Sequence, residues 1–118
     1  MMKTGIDLVE IERIEKAFSE AFVQRILAHK ELEYFHSIHN EHRKMTFLAG
    51  RFAAKEALFK ALKQGDLTLN FKDICILNDA HGAPYFEAFP NRERYHLELS
   101  ISHTDHYAVA IVLLEIKE

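Results

Sequence analysis

Residues 51–62 read RFAAKEALFKAL, and the reading of this stretch decides the fold. Phe52, Ala53, Ala54, Ala57, Leu58, Phe59, Ala61 and Leu62 make a helix suited to a core, yet Arg51, Lys55, Glu56 and Lys60 stand among them. At about 100° per residue, Met45, Leu48, Phe52 and Phe59 fall within one narrow arc. Lys55 falls inside that arc and Glu56 at its edge. Glu56 and Lys60 have i,i+4 spacing, so they lie on neighbouring turns of one face. In isolation such a pair is a surface ion pair, contributing about a few tenths of a kcal/mol. Beside Phe52 and Phe59, however, a carboxylate is partly desolvated and needs a cation, and Lys60 or a metal ion would serve. Lys55 is expected to reach the same site or a neighbouring subunit.

Outward from this stretch, the helix extends over about Glu41 to Gln64, with Asn40 as N-cap and Gly65 as the residue past its end. Ahead of it, Gly5 to Glu10 reads as a short strand with Ile6 and Leu8 on one face and Asp7 and Val9 on the other. Helical spacing starts at Ile11, with Ile11, Ile14, Ala17 and Phe18 as one stripe and a break near Ser19–Glu20. Phe22, Ile26 and Leu27 continue it. Lys30 to Phe35 forms a further short helical turn, and His36 to His42 reads as a polar loop. Phe18, Phe22, Phe35, Phe47 and Phe71 are assigned to the core.

Beyond the helix the period changes. Lys72 to Leu77 and Pro84 to Ala88 are strands joined through Asn78, Asp79 and Gly82. His96 to Ser102 alternates, with Leu97, Leu99 and Ile101 inward. The tight connection Ser102-His103-Thr104-Asp105 leads to Tyr107–Ile116, which is apolar on both faces and so belongs in the middle of a sheet. Helices first and strands last give an α+β domain over residues 1–118, an antiparallel sheet packed on one long helix.

Composition narrows the function. The chain has 118 residues, 48% hydrophobic and 28% charged, with a net charge of −3. That is the make-up of a globular protein and argues against nucleic acid as the main partner. The single cysteine, Cys75, permits no internal disulfide and is read as a buried thiol in a reducing compartment. The first residues carry acids where a secretory leader needs an apolar run, and the longest apolar run, Ala108–Leu114, is too short to span a membrane as a helix. A cytoplasmic protein without membrane or nucleic-acid binding is expected. His36, His39 and His42 have spacing that invites zinc, but their polar surroundings favour solvated side chains.

Asp7 is the second acid in an unexpected place. Two such acids and a lysine suit a divalent metal and phosphate, with carboxylates on the metal and lysine on phosphate oxygens.

GIDLVEIERI (5–14), FLAGRFAAKEALFKAL (47–62) and LSISHTDHYAVAIVLLE (99–115) together resemble the bacterial holo-acyl-carrier-protein synthases, the small class of 4′-phosphopantetheinyl transferases. The resemblance covers essentially the whole chain. It implies an α+β, homotrimeric enzyme with active sites at subunit interfaces. Such an enzyme moves phosphopantetheine from coenzyme A to a serine of apo-acyl carrier protein in fatty acid biosynthesis. The other product is adenosine 3′,5′-bisphosphate. By the same resemblance the metal-binding acids are Asp7 and Glu56, with Mg²⁺ the implied ion, and the active-site lysine is Lys60. Coenzyme contacts fall on His103, after Ser102, and on Pro84, after Gly82. Arg43, Lys44 and Arg51 are candidates for coenzyme phosphates. Arg13, Lys16 and Arg25 are candidates for docking the acidic carrier protein.

The chemistry implied is displacement at the phosphorus that bears pantetheine, with Asp7, Glu56 and Lys60 catalytic. The resemblance leaves open whether Glu56 takes the serine proton itself or through a water. Val9 stands where larger transferases have a third acid. Lys63-Gln64-Gly65-Asp66 departs from the family's glycine-rich loop, which touches coenzyme affinity. A binding module that recognises carrier or coenzyme without turnover is the alternative. A third reading, an unrelated helix–sheet interaction domain, makes all three charges surface pairs.

Overall fold

The computed structural model describes residues 1–62 and 69–117. The order is β1 (Met2–Glu10), α1 (Ile11–Ala17), α2 (Glu20–Ile26), α3 (His29–Ser37), α4 (Glu41–Leu62), β2 (Cys75–Asn78), β3 (Pro84–Ala88), β4 (Tyr95–His103) and β5 (Tyr107–Ile116). The expected α+β order holds, but the strands form two antiparallel sheets rather than one. β1, β5 and β4 make a sheet with β5 in the centre, and β2 and β3 make a separate hairpin.

The central place of β5 follows from its sequence. Ala108, Ala110, Val112 and Leu114 are buried against α4. The other face is apolar too, yet Ile111 is 40% exposed. β1 shows the same inversion. Gly5 and Val9 are buried and Asp7 is half-buried, whereas Ile6 and Leu8 are 58% and 64% exposed. Small residues face the helix here because α4 lies directly on the strand. A Cβ placed on Gly5 would stand 1.8 Å from the carbonyl oxygen of Ala57 and 2.8 Å from the amide nitrogen of Ala61. Only glycine permits this backbone-to-backbone approach.

The helical layer is more divided than its pattern suggested. Ser19 accepts a hydrogen bond from Phe22 N at 3.0 Å and starts α2, the physical cause of the expected break. The polar loop assigned to 36–42 is corrected: His36 lies in α3, Ile38 is buried, and α4 begins at Glu41. Asn40 caps α4 as expected, its Oδ1 accepting from Arg43 N at 2.9 Å. The expected end of the helix at Gln64 and the cap at Gly65 lie outside the described residues, as do Lys63 and Asp66. Phe35 is fully in the core, and Phe22, Phe47 and Phe71 pack half-buried against it. Phe18, assigned to the core, is 41% exposed because α1 ends before it, and its ring leans on Phe35. Residues 72–74 form a 3-10 turn and its exit instead of strand, and β2 starts at Cys75.

Candidate functional site

Two neighbouring regions gather the residues singled out in the sequence. The first lies where β1 crosses α4. Strand alternation turns Asp7 toward the helix, and helical period places Glu56 and Lys60 against it. Lys60 Nζ donates to Asp7 Oδ1 at 3.0 Å and to the carbonyl of Ile6 at 2.9 Å. Lys60 therefore pairs with Asp7, across the strand–helix junction, and not with Glu56 along its own helix. Glu56 is half-buried, and its carboxyl is held above the usual range by desolvation first and by the nearby Asp7 charge second, with Lys60 opposing.

Asp7 and Glu56 share the wall of a cavity of about 300 Å³ with Arg13, Phe22 and Phe52. Among the described residues no group of three or more histidine, cysteine, aspartate or glutamate side chains is placed to hold an ion. Asp7 and Glu56 make a pair, and Val9 beside them is buried. The donor set fits a hard divalent cation. It offers only carboxylate oxygens, one of them disfavoured as an anion until positive charge arrives.

The second region is a cleft of about 360 Å³ between the start of α4, the β2–β3 hairpin and the β4–β5 turn. Arg43, Arg51, His42 and His103 line it against one carboxylate, Asp105, with Phe47 and Pro84 as apolar walls. The hairpin turn is fixed by Asp79, whose Oδ1 accepts from His81 N and Ala83 N at 2.8 and 3.0 Å, and by Gly82 at φ 85°. Thr104 does the same for the β4–β5 turn, accepting from His106 N and Tyr107 N at 3.2 and 3.1 Å.

Several expected contacts are placed elsewhere. Lys44 is outside the cleft lining, its Nζ 5.0 Å from the centre of the Phe35 ring. Ser102, one residue out of phase with Ile101, is on the exposed side of β4 and does not line the cleft. Lys16 pairs with Glu12 at 3.1 Å, and Arg25 lies 5.9 Å from the Phe22 ring centre. Arg13 is the one member of the basic set beside the acids.

Lys55 is corrected outright. It is 0% exposed and reaches neither the site nor the surface. Its Nζ donates to Glu31 Oε1 at 2.5 Å, to Ile26 O at 2.7 Å and to Phe71 O at 3.0 Å. Glu31, passed over in the sequence, is equally buried. Its Oε1 also accepts from Ala28 N at 2.8 Å, and its Oε2 accepts from Ile76 N at 2.9 Å. A signal existed: Glu31, Phe35 and Ile38 share the spacing of one helix face.

Comparison with known proteins gives the family. The profile of the 4′-phosphopantetheinyl transferase superfamily matches residues 3–112, and the chain belongs to that superfamily. Within it, its relatives are holo-acyl-carrier-protein synthases. The chain is 47% identical to that of Acholeplasma laidlawii over 113 residues, covering 96% of this chain and 95% of the relative. It is 48% identical to that of Staphylococcus haemolyticus over 115 residues, covering 94% and 93%. Among solved structures, the holo-(acyl-carrier-protein) synthase of Bacillus anthracis in complex with CoA (3′,5′-ADP) superposes with a TM-score of 0.88 at 38% identity. That match covers 99% of this chain and 100% of the other.

Proposed function

We propose that this chain transfers 4′-phosphopantetheine from coenzyme A to a serine of apo-acyl carrier protein, giving holo-acyl carrier protein and adenosine 3′,5′-bisphosphate. One observation carries the reading. Asp7, distant in sequence from Glu56 and Lys60, meets them at the β1–α4 junction, in a chain whose relatives are holo-acyl-carrier-protein synthases. The cation-lined cleft beside His103 supplies the place for an anionic nucleotide.

The roles follow from the chemistry. The serine oxygen forms a bond to the phosphorus bearing pantetheine, and the bond from that phosphorus to the bridging oxygen breaks. The electron pair leaves on adenosine 3′,5′-bisphosphate. The serine proton has to go to a base, and Glu56 takes it, either directly or through a water. Lys60 supplies positive charge at the departing phosphate. Asp7 and Glu56 would hold Mg²⁺, which would neutralise charge on the diphosphate oxygens. Arg43, Arg51, His103 and Pro84 line the cleft assigned to the coenzyme.

Arg13, beside the acids, is the docking residue for the acidic carrier protein, with Lys16 and Arg25 on the same helical layer. Copies of the chain assemble as a trimer through the outer sheet face, where Ile6, Leu8 and Ile111 are exposed side by side. The whole span 1–118 acts as one domain. Among the described residues no helix is long and apolar enough to cross a membrane, which fits work in the cytoplasm.

The test is direct. The protein is incubated with apo-acyl carrier protein, coenzyme A and Mg²⁺, and the carrier is weighed by mass spectrometry. A gain of one phosphopantetheine is expected. Binding of both partners with no gain in mass would replace the enzyme with a recognition module.

A further inference from the structure

Arg51 is a buried cation, 6% exposed, at the wall of the cleft. Burial pulls on its charge, and Glu31 offsets part of that from 4.0 Å. Its guanidinium has five N–H groups in a rigid plane. Nε donates to the carbonyl of Ile76 at 3.1 Å, and Nη2 donates to Asn78 Oδ1 at 3.0 Å. The plane lies over Phe47, 4.5 Å from the ring centre. No acceptor among the described residues meets Nη1, and no buried side-chain nitrogen lacks a partner. Nη1 therefore reaches the cleft rather than the core.

Asn78 is the exposed member of this arrangement. It closes β2 opposite Pro84, one residue before the turn fixed by Asp79 and Gly82. Three constraints define a plane: the Ile76 backbone carbonyl, the Phe47 ring and the Asn78 side-chain oxygen Oδ1. Only the last can be removed without opening the core.

We propose that Asn78 is a positioning residue for coenzyme binding: by accepting from Nη2 it fixes the rotation of the Arg51 guanidinium and aims Nη1 at a phosphate of the nucleotide in the cleft. The inference rests on the coenzyme reading of that cleft. A guanidinium free to turn presents its fork to a phosphate less often, and one charge-assisted hydrogen bond is worth about tenfold in affinity.

The experiment compares Asn78→Ala with the parent chain in two ways. Calorimetry with coenzyme A is expected to show about tenfold weaker binding, and transfer assays a matching rise in KM for coenzyme A with kcat and the KM for carrier protein unchanged. NMR of the Arg51 side chain, recorded without coenzyme, is expected to show slowed guanidinium rotation in the parent and averaged signals in the variant. Asn78→Ala in an Arg51→Lys background, which lacks Nη2, is expected to add nothing to the coenzyme affinity of Arg51→Lys alone. A full tenfold loss there would mean that Asn78 touches the coenzyme itself and would overturn the positioning role. A parent that binds coenzyme A, with an Asn78→Ala variant that binds it equally well, would overturn this inference alone. A parent that binds none would overturn the function and this inference with it.

Discussion

Replacing Lys55 with methionine tests whether the charge at the centre of α4 is structural. Three Nζ hydrogens meet three acceptors, Glu31 Oε1, Ile26 O and Phe71 O, so the ammonium is fully satisfied without water. In Lys55→Met the chain keeps a buried Glu31 carboxylate with two backbone N–H donors and Arg51 4.0 Å away, and the Ile26 carbonyl loses the ammonium, while the Phe71 carbonyl still accepts from Ile74 N. Removing one member of a fully buried pair costs about 3–5 kcal/mol. With a urea dependence of roughly 2 kcal/mol per molar, the unfolding midpoint should fall by about 2 M. Equilibrium urea unfolding followed by far-ultraviolet circular dichroism measures this, at one fixed protomer concentration because association raises apparent stability. Lys55→Met combined with Glu31→Gln should recover about half of the loss, since the remaining amide no longer carries a charge. A midpoint shift below about 0.5 M for Lys55→Met would refute the reasoning. So would a double variant less stable than the single one.

Three further outcomes are expected. Gly5→Ala should abolish most transfer activity and lower thermal stability, because its Cβ has no room 1.8 Å from Ala57 O and α4 must move off β1; unchanged kcat and Tm would refute the backbone-to-backbone approach. Glu56→Gln should end transfer with the fold intact. In metal-free protein it should also remove a loss of stability as pH rises above 4.5, since a carboxyl raised in the folded state stabilises below its unfolded value and ceases to as it ionises; parallel stability–pH curves for parent and variant would count against the desolvated carboxyl. The Cys75 thiol, pushed up to about 11 by burial, Glu31 and Glu87, should alkylate at pH 9 at least about fiftyfold slower in the native protein than in urea; similar rates would place the thiol at the surface.

The parts of the fold governed by local pattern were legible. Asn40 as a cap, the break at Ser19 and the central place of β5 each follow from a few neighbouring residues, and each is found. What escaped depends on contacts between distant segments. Nothing in GIDLV says that Ile6 and Leu8 face outward, since that is decided by the helix pressing on Gly5. The helix alone puts Lys55 inside the apolar arc and Lys60 outside it, but it does not say what either one meets. Glu31 arrives from α3 at one and Asp7 from β1 at the other. The hairpin β2–β3 was legible from its turn residues, but its separation from the main sheet was not, as strand patterns do not record which sheet a strand joins. Out-of-place charge raised the pairing of Asp7 with the Glu56–Lys60 face and the family resemblance carried it, and the crossing of β1 over α4 brings the groups together.

The closeness of β1 to α4 has a further consequence. Gly5, Ala57 and Ala61 carry no reactive atom, yet their small size sets the gauge between the element that bears Asp7 and the element that bears Glu56 and Lys60. The spacing is registered main chain to main chain, like two machined faces in contact, so rotamer changes elsewhere do not alter it. Chemical tolerance is thereby transferred to residues that no search for acids and bases would select. A methyl group added at position 5 would register first as lost catalysis.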